Sequence, residues 1–245
     1  MASNQVSDAR LRIERANTHL QELKTLLTEA PNTFTVAVKD HESGGQHLIH
    51  DVPDAENLRK RIAIIAGDAL NNLKSALDYA WIGVLERHRI TLPSRPKFPV
   101  YEDAHGVKDA LVKSRIAQGS VLFNYMMNQC RPFKDGEYTL WAMHRLNNHD
   151  KHRLLLPTMS YAGITGIAVL NTENGEMIEG DSWGISGDGP YYVYLQSSLR
   201  LKNPGKLSVS FLFDKDMPYH PVEVDDALRD FARVALVIVN QLETI

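Results

Sequence analysis

Residues 147–156 read NNHDKHRLLL, and this polar run holds the side chains best suited to chemistry in the chain. His152 and His149 are of the residue type best suited to general acid–base work. Arg145, Lys151 and Arg153 suit the holding of a phosphate. If a helix starting at Tyr138 continues to His152, then Arg145, Asn148, His149 and His152 share one side. Arg145 and His152 would then stand two turns apart, about 10 Å along the axis at ~1.5 Å per residue. Both side chains could approach one phosphate, and RNA cleavage by such a pair needs no metal, because the ribose 2′-OH is the nucleophile and the protein only shifts protons and stabilises charge. The same residues also serve a purely structural end. Cations in the last turn meet the carbonyl end of a helix dipole, and Asp150 can pair with a neighbouring Lys or Arg.

A second constellation lies at residues 68–79. Asp68, Asn71, Asn72, Ser75, Asp78 and Tyr79 fall within one arc of a helix, with Lys74 at its margin. A solvated helix face favours Glu, Lys, Gln and Arg, whereas Asn, Asp and Ser lower helix propensity. Something other than solvation therefore selects them: a polar pocket wall, or a hydrogen-bonded network between helices. Lys74 on this reading can be a plain surface lysine. Ile64 and Ile82 in the same arc predict partial cover.

Other chemistries fare worse. A metal site would draw on His144, His149 and His152 with Asp68 or Asp78, but no HExxH or comparable spacing is present, so no metal is expected. GxSxG, GxGxxG and P-loop patterns are absent, and so is any implied cofactor. The single cysteine, Cys130, excludes an internal disulfide and fits a reducing cytoplasm. Net charge is −3 with a pI near 6.4, so no strong field invites DNA or an anionic membrane, and the net charge does not itself support RNA, which a local basic patch could still bind. The longest apolar run, Val234–Val239, is far short of the ~20 residues a membrane span needs. The first residues lack an apolar leader, so a cytoplasmic location is expected.

The elements that must position these residues follow from periodicity. Ile13, Ala16, Leu20, Leu23 and Leu27 predict a helix over 7–29. TFTVAVK and residues 47–52, joined by HESGGQ, predict a hairpin. A long helix runs from about Ala55 to His88, with Asp54 as its cap. Two shorter helices follow near 103–117 and 120–130, then one over 138–152. Strands are expected at 164–170, 176–180, 191–196 and 206–213, separated by NTENG, SGDG and KNPG turns. A last helix follows Pro221. The class is α+β: a helical bundle around a long central helix, with an N-terminal hairpin and a C-terminal antiparallel meander closed by a helix. One domain is expected over 1–245, helical to about 152, β over about 153–215, closing at about 222–244.

NTHLQELK, IAGDALNNLKSALDYAW, FPVYED, LWAMHRLNNHDKHRLLL and the helix after HPVEVDD resemble segments of a widespread family of bacterial proteins. Its central motifs are similar to GDxxxNLRSALDHL and LxxLxxxDKHR, and the likeness spans nearly the whole chain. It implies no particular activity. Tyr79 stands where that family often has His, Lys74 where it has Arg, and Arg145 where it has Glu. More distantly, Arg145 and His152, with six residues between them, resemble the Arg–His spacing of HEPN domains, helical dimeric modules found in toxins and phage defence, many of which cleave RNA without metal. HEPN motifs favour a polar residue after the Arg, and here it is Leu146. Two functions remain. One is a non-catalytic ligand- or partner-binding domain, its site formed by Asp68, Asn71, Asn72, Lys74, Ser75, Asp78 and Asp150. The other is a metal-independent ribonuclease using His152, Arg145, Lys151, Arg153 and His149, in a homodimer. Both require residues 65–81 and 145–153 to meet, with Asp68 or Asp78 near Lys151, His152 or Arg153.

Overall fold

A computed structural model describes residues 2–92, 94–151, 153–155, 157–185 and 191–245. The class is α+β, as the periodicities predict. The chain divides into two compact units.

The first unit comprises Met1–Leu23, Ala63–Leu155 and Lys215–Ile245. It holds most of α1 (Ala2–Glu29) and α2 (Ala55–Arg87), together with α3 (Ala104–Lys113), α4 (Val121–Asn124), α5 (Tyr138–Asp150) and α6 (Val224–Thr244). Each long helix has one apolar stripe and buries it. Ala9, Ile13, Ala16, Leu20 and Leu23 of α1 are buried at helical spacing. On α2 the buried stripe is Ala66, Ala69, Leu70, Leu73, Leu77, Ala80 and Val84, and on α6 it is Leu228, Phe231, Ala235, Ile238, Val239 and Leu242. A fully buried Leu, Ile or Phe contributes about 1.5–3 kcal/mol of transfer free energy, so these stripes hold the bundle. Polar contacts fix its ends: Arg10 donates to Glu243 at 2.5 Å, and Arg87 donates to the Leu242 carbonyl. Asp103 caps α3 by accepting from the Gly106 N–H at 2.8 Å.

Two helical expectations need correction. Residues 120–130 are not one α-helix: after α4 the chain widens into a π-helix, Tyr125–Cys130. It closes with Arg131 N–H donating to the Met126 carbonyl five residues back, and Arg131 then turns left-handed (φ 45°). Pro132 cannot continue a helix. The helix expected over 138–152 stops at Asp150, with Lys151 as its C-terminal cap.

The second unit comprises Lys24–Ile62 and Leu156–Asp214. The hairpin is present as β1 (Thr35–Asp40) and β2 (Gln46–Asp51). β3 (Thr158–Asn171), β4 (Met177–Ile185), β5 (Tyr191–Leu195) and β6 (Leu199–Leu212) follow. They do not all share one sheet. β3 is central between β4 and β6, whereas β5 leaves to pair with β2, so the second sheet is β1-β2-β5. The expected KNPG turn is a departure as well: it lies inside β6, which runs unbroken beside β3. Register slips between Ala168 and Val169, Gly205 takes φ +75°, and Asn203 accepts its N–H at 3.1 Å. The segment is a bulge, where a strand tolerates Pro and Gly. The SGDG turn expected at 186–189 lies outside the described residues. Among the described residues, no helix is long and apolar enough to cross a membrane.

Candidate functional site

The two polar motifs meet within the first unit, and they meet by packing. Gly67 on α2 lies directly under the Asp150 side chain at the end of α5. A Cβ added to Gly67 would fall 2.8 Å from Asp150 Cγ and Oδ1. Asp150 also accepts the Leu155 backbone N–H, which closes the loop leaving α5. A carboxylate at a helix C-terminus opposes the dipole, so this loop contact accounts for its presence. Burial raises its pKa and the Leu155 hydrogen bond lowers it, while nearby Asp68 raises it further. Residue 67 is glycine because any side chain would displace that carboxyl group.

The polar arc of α2 is about 160° wide at 100° per residue, and its edges have different owners. On one edge Asn72 is buried, takes Arg12 of α1 at 3.3 Å and donates to the Asp68 carbonyl at 2.8 Å. Arg12 also lies over the Tyr79 ring, 5.8 Å from its centroid. On the other edge Lys74 pairs with Asp78 at 2.5 Å, and Asp78 accepts the Phe98 N–H at 2.8 Å. Lys74 is no surface lysine: it is 5 % exposed. Burial depresses its pKa, the Asp78 carboxylate raises it, and Lys151 and Lys97 depress it further. Between the edges, Asp68 and Asn71 are exposed and Ser75 is half-buried.

His144 on α5 shares this electrostatic neighbourhood. Its pKa is held down at about 4, first by burial and then by Lys74. Asn148 stands 2.9 Å from its Nε2 and donates to it when the ring is neutral, while Nδ1 is buried without a partner among the described residues. Asn148, which the helical spacing groups with Arg145, His149 and His152, is thus engaged by His144. Lys151 and Arg153 are exposed. His152 lies outside the described residues.

α5 also lines an open cleft of about 360 Å³. Tyr138, Trp141, Arg145 and His149, spaced three, four and four residues apart, line it together with Lys134, Asp216, Met217 and Pro218. The structure therefore divides the proposed catalytic set: Arg145 and His149 face the cleft, while Lys151 belongs to the neighbourhood of Lys74 and His144. An aromatic row backs the cleft. The Tyr138 ring is 5.4 Å from Trp141 and stacks on Tyr219 at 5.9 Å, and Tyr219 packs on Phe231 at 4.7 Å. Trp141 donates its indole N–H to Glu102 at 3.0 Å, and Lys134 Nζ lies 5.3 Å from the Trp141 ring centroid. His149 Nδ1 is buried and has no partner among the described residues. Sequence reasoning missed Lys134, Tyr138, Trp141 and 216–218. The helical spacing from Tyr138 to His149 could have found the first turn of this wall; the 216–218 segment has no local signal.

A second cleft, about 300 Å³, is lined by Tyr125, Cys130 and Glu137 on one side and Val237, Ile238 and Gln241 of α6 on the other. Burial pushes the Cys130 thiol up to about 12, so it is a poor nucleophile there. Among the described residues, one carboxylate trio has its ligand atoms within 4.8 Å of one another: Glu223, Asp225 and Asp226. It sits at the start of α6, where Arg229 pairs with Asp225. The fold and site thus define an α+β protein with a helical bundle, an interlocked polar seam and a separate aromatic, cationic cleft. The chain matches no protein-family model, no curated protein and no solved structure.

Proposed function

We propose that the protein is a non-catalytic binding domain, in which the two polar motifs lock helices together and the cleft beside α5 takes a small ligand. The observation that carries this reading is the fate of the motif side chains. Lys74 and Asp78 are spent on each other and on the Phe98 N–H, and Asp150 is spent on Gly67 and Leu155. Groups so engaged contribute specificity and rigidity to a core, and leave little capacity for proton transfer to a substrate. By contrast, Arg145 and His149 line an open cleft, and Arg145 makes no ion pair among the described residues.

One observation favours the ribonuclease reading: Arg145 and His149 line the same cleft, and an Arg with a His suffices for metal-free RNA cleavage. The test is incubation of the purified protein with single-stranded RNA in the presence of a chelator. The binding reading expects no cleavage above buffer, and expects Asp150→Ala and Asp78→Asn to lower thermal stability. Cleavage that disappears in both His149→Ala and His152→Ala would replace the binding reading with the enzymatic one.

A further inference from the structure

We infer that the cleft beside α5 binds a small aromatic anion, a single flat ring carrying a phosphate or carboxylate group. This rests on the reading of the cleft as a ligand site and adds the class of ligand. Three features converge. The first is charge: Arg145 and Lys134 outnumber the one carboxylate, Asp216, and Arg145 makes no ion pair among the described residues. A guanidinium with no ion pair among the described residues, at the wall of a concave site, is suited to planar recognition of a carboxylate or phosphate. The second is the imidazole. His149 lies one turn beyond Arg145, about 6 Å along the axis, and lines the same cleft. A ring N–H on that wall can donate to an anionic oxygen held by the guanidinium. The third is the wall. Tyr138 is 43 % exposed and is held by its stack on Tyr219, whose hydroxyl donates to Thr139 Oγ1 at 2.9 Å. A rigid aromatic surface receives a flat apolar body at small entropic cost.

Size narrows the ligand further. About 360 Å³ lies at the lower end of the range for small-molecule sites. One ring and one anionic group fit that volume, with the anion toward Arg145 and His149 and the ring along Tyr138. The arrangement is distinct from the Lys74–Asp78 seam, because neither of those residues lines the cleft.

The experiment is isothermal titration calorimetry of the full chain with phenyl phosphate, benzoate, inorganic phosphate and phenol. Phenyl phosphate or benzoate is expected to bind at least ten-fold more tightly than either inorganic phosphate or phenol. Arg145→Gln is expected to weaken that binding at least ten-fold, and Tyr138→Leu to bring phenyl phosphate down to the level of inorganic phosphate. Both variants must keep the wild-type far-UV circular dichroism; if Tyr138→Leu does not, Arg145→Gln, at an exposed residue, carries the test alone. Phenol binding as tightly as phenyl phosphate would sink the anionic assignment while leaving the cleft a ligand site. Binding unchanged in Arg145→Gln would place the ligand elsewhere and overturn the inference. RNA cleavage in the chelator assay would overturn the non-catalytic reading without touching the calorimetric result.

Discussion

Lys74 and Asp78 share one hydrogen bond but not one environment. The lysine side chain is 6 % exposed and the aspartate 27 %. An ammonium in that position depends on its counter-charge, whereas Asp78 keeps the Phe98 N–H and access to water if the lysine is removed. The two deletions should therefore differ. Asp78→Asn leaves Lys74 buried without a counter-ion and is expected to cost about 3 kcal/mol in urea denaturation. Lys74→Met replaces a buried charge with an apolar chain of similar length and is expected to cost about 1 kcal/mol or less. Equal losses would contradict the asymmetry. His144 adds a pH signature. Its imidazole is held at about 4 against an ordinary 6.5. Between those values the unfolded chain binds a proton that the folded chain refuses, so stability falls as pH drops through that window and is flat above it. Asp150 has the opposite sign: its raised pKa lets the folded state take up a proton more readily at acid pH. The expected outcome is a melting temperature that declines between pH 6.5 and 4, with a shallower decline in His144→Gln.

At the scale of elements, the decisive contact is between one glycine and one carboxylate. On helix propensity alone, Gly67→Ala in the middle of α2 should stabilise by roughly 1 kcal/mol. The Asp150 carboxyl group occupies the space the new methyl would need. The substitution is instead expected to destabilise by about 2 kcal/mol, within the range for overpacking. The double variant Gly67→Ala with Asp150→Ala should lose less than the sum of the two single variants, by about 1 kcal/mol, as measured in a denaturant cycle. Additive losses would mean the two residues do not interlock. Parts of this were readable from the chain. The unsuitability of Asn, Asp and Ser for a solvated helix marked α2 as an element with a partner, and Ala9 to Leu23 marked the buried stripe of α1. The motifs were also expected to meet, though through Asp68 or Asp78; the contact runs through Gly67, whose meaning depends on a residue 83 positions away, by 150 − 67. Helical periodicity could not anticipate the π-turn at Tyr125–Cys130, because hydrogen-bond register leaves no mark in side-chain spacing over six residues. The bulge in β6 read as a turn because Asn, Pro and Gly serve both ends alike.

At the scale of the whole molecule, each unit is assembled from pieces distant in sequence. The first needs residues 1–23 and 215–245 together, since α6 supplies Leu228, Phe231, Ile238, Val239 and Leu242 to its core. Truncation after Phe213 removes all five and is expected to abolish cooperative thermal unfolding, measured by circular dichroism; a sharp transition in the truncated chain would show that α6 is dispensable. Contacts of such high sequence separation also slow folding, because loops must close before apolar burial rewards them. The pairing of β2 with β5 gives this a biosynthetic meaning. β2 ends at residue 51 and its second neighbour begins at residue 191, about 140 residues later. At roughly 5–20 residues per second, a ribosome needs on the order of ten seconds to make that interval. For that time the nascent hairpin presents the β2 edge with no strand beside it, a template that other chains can join. The yield of native protein in a cell should therefore depend on translation speed and on chaperones that cover this edge, more than on the stability of the finished fold.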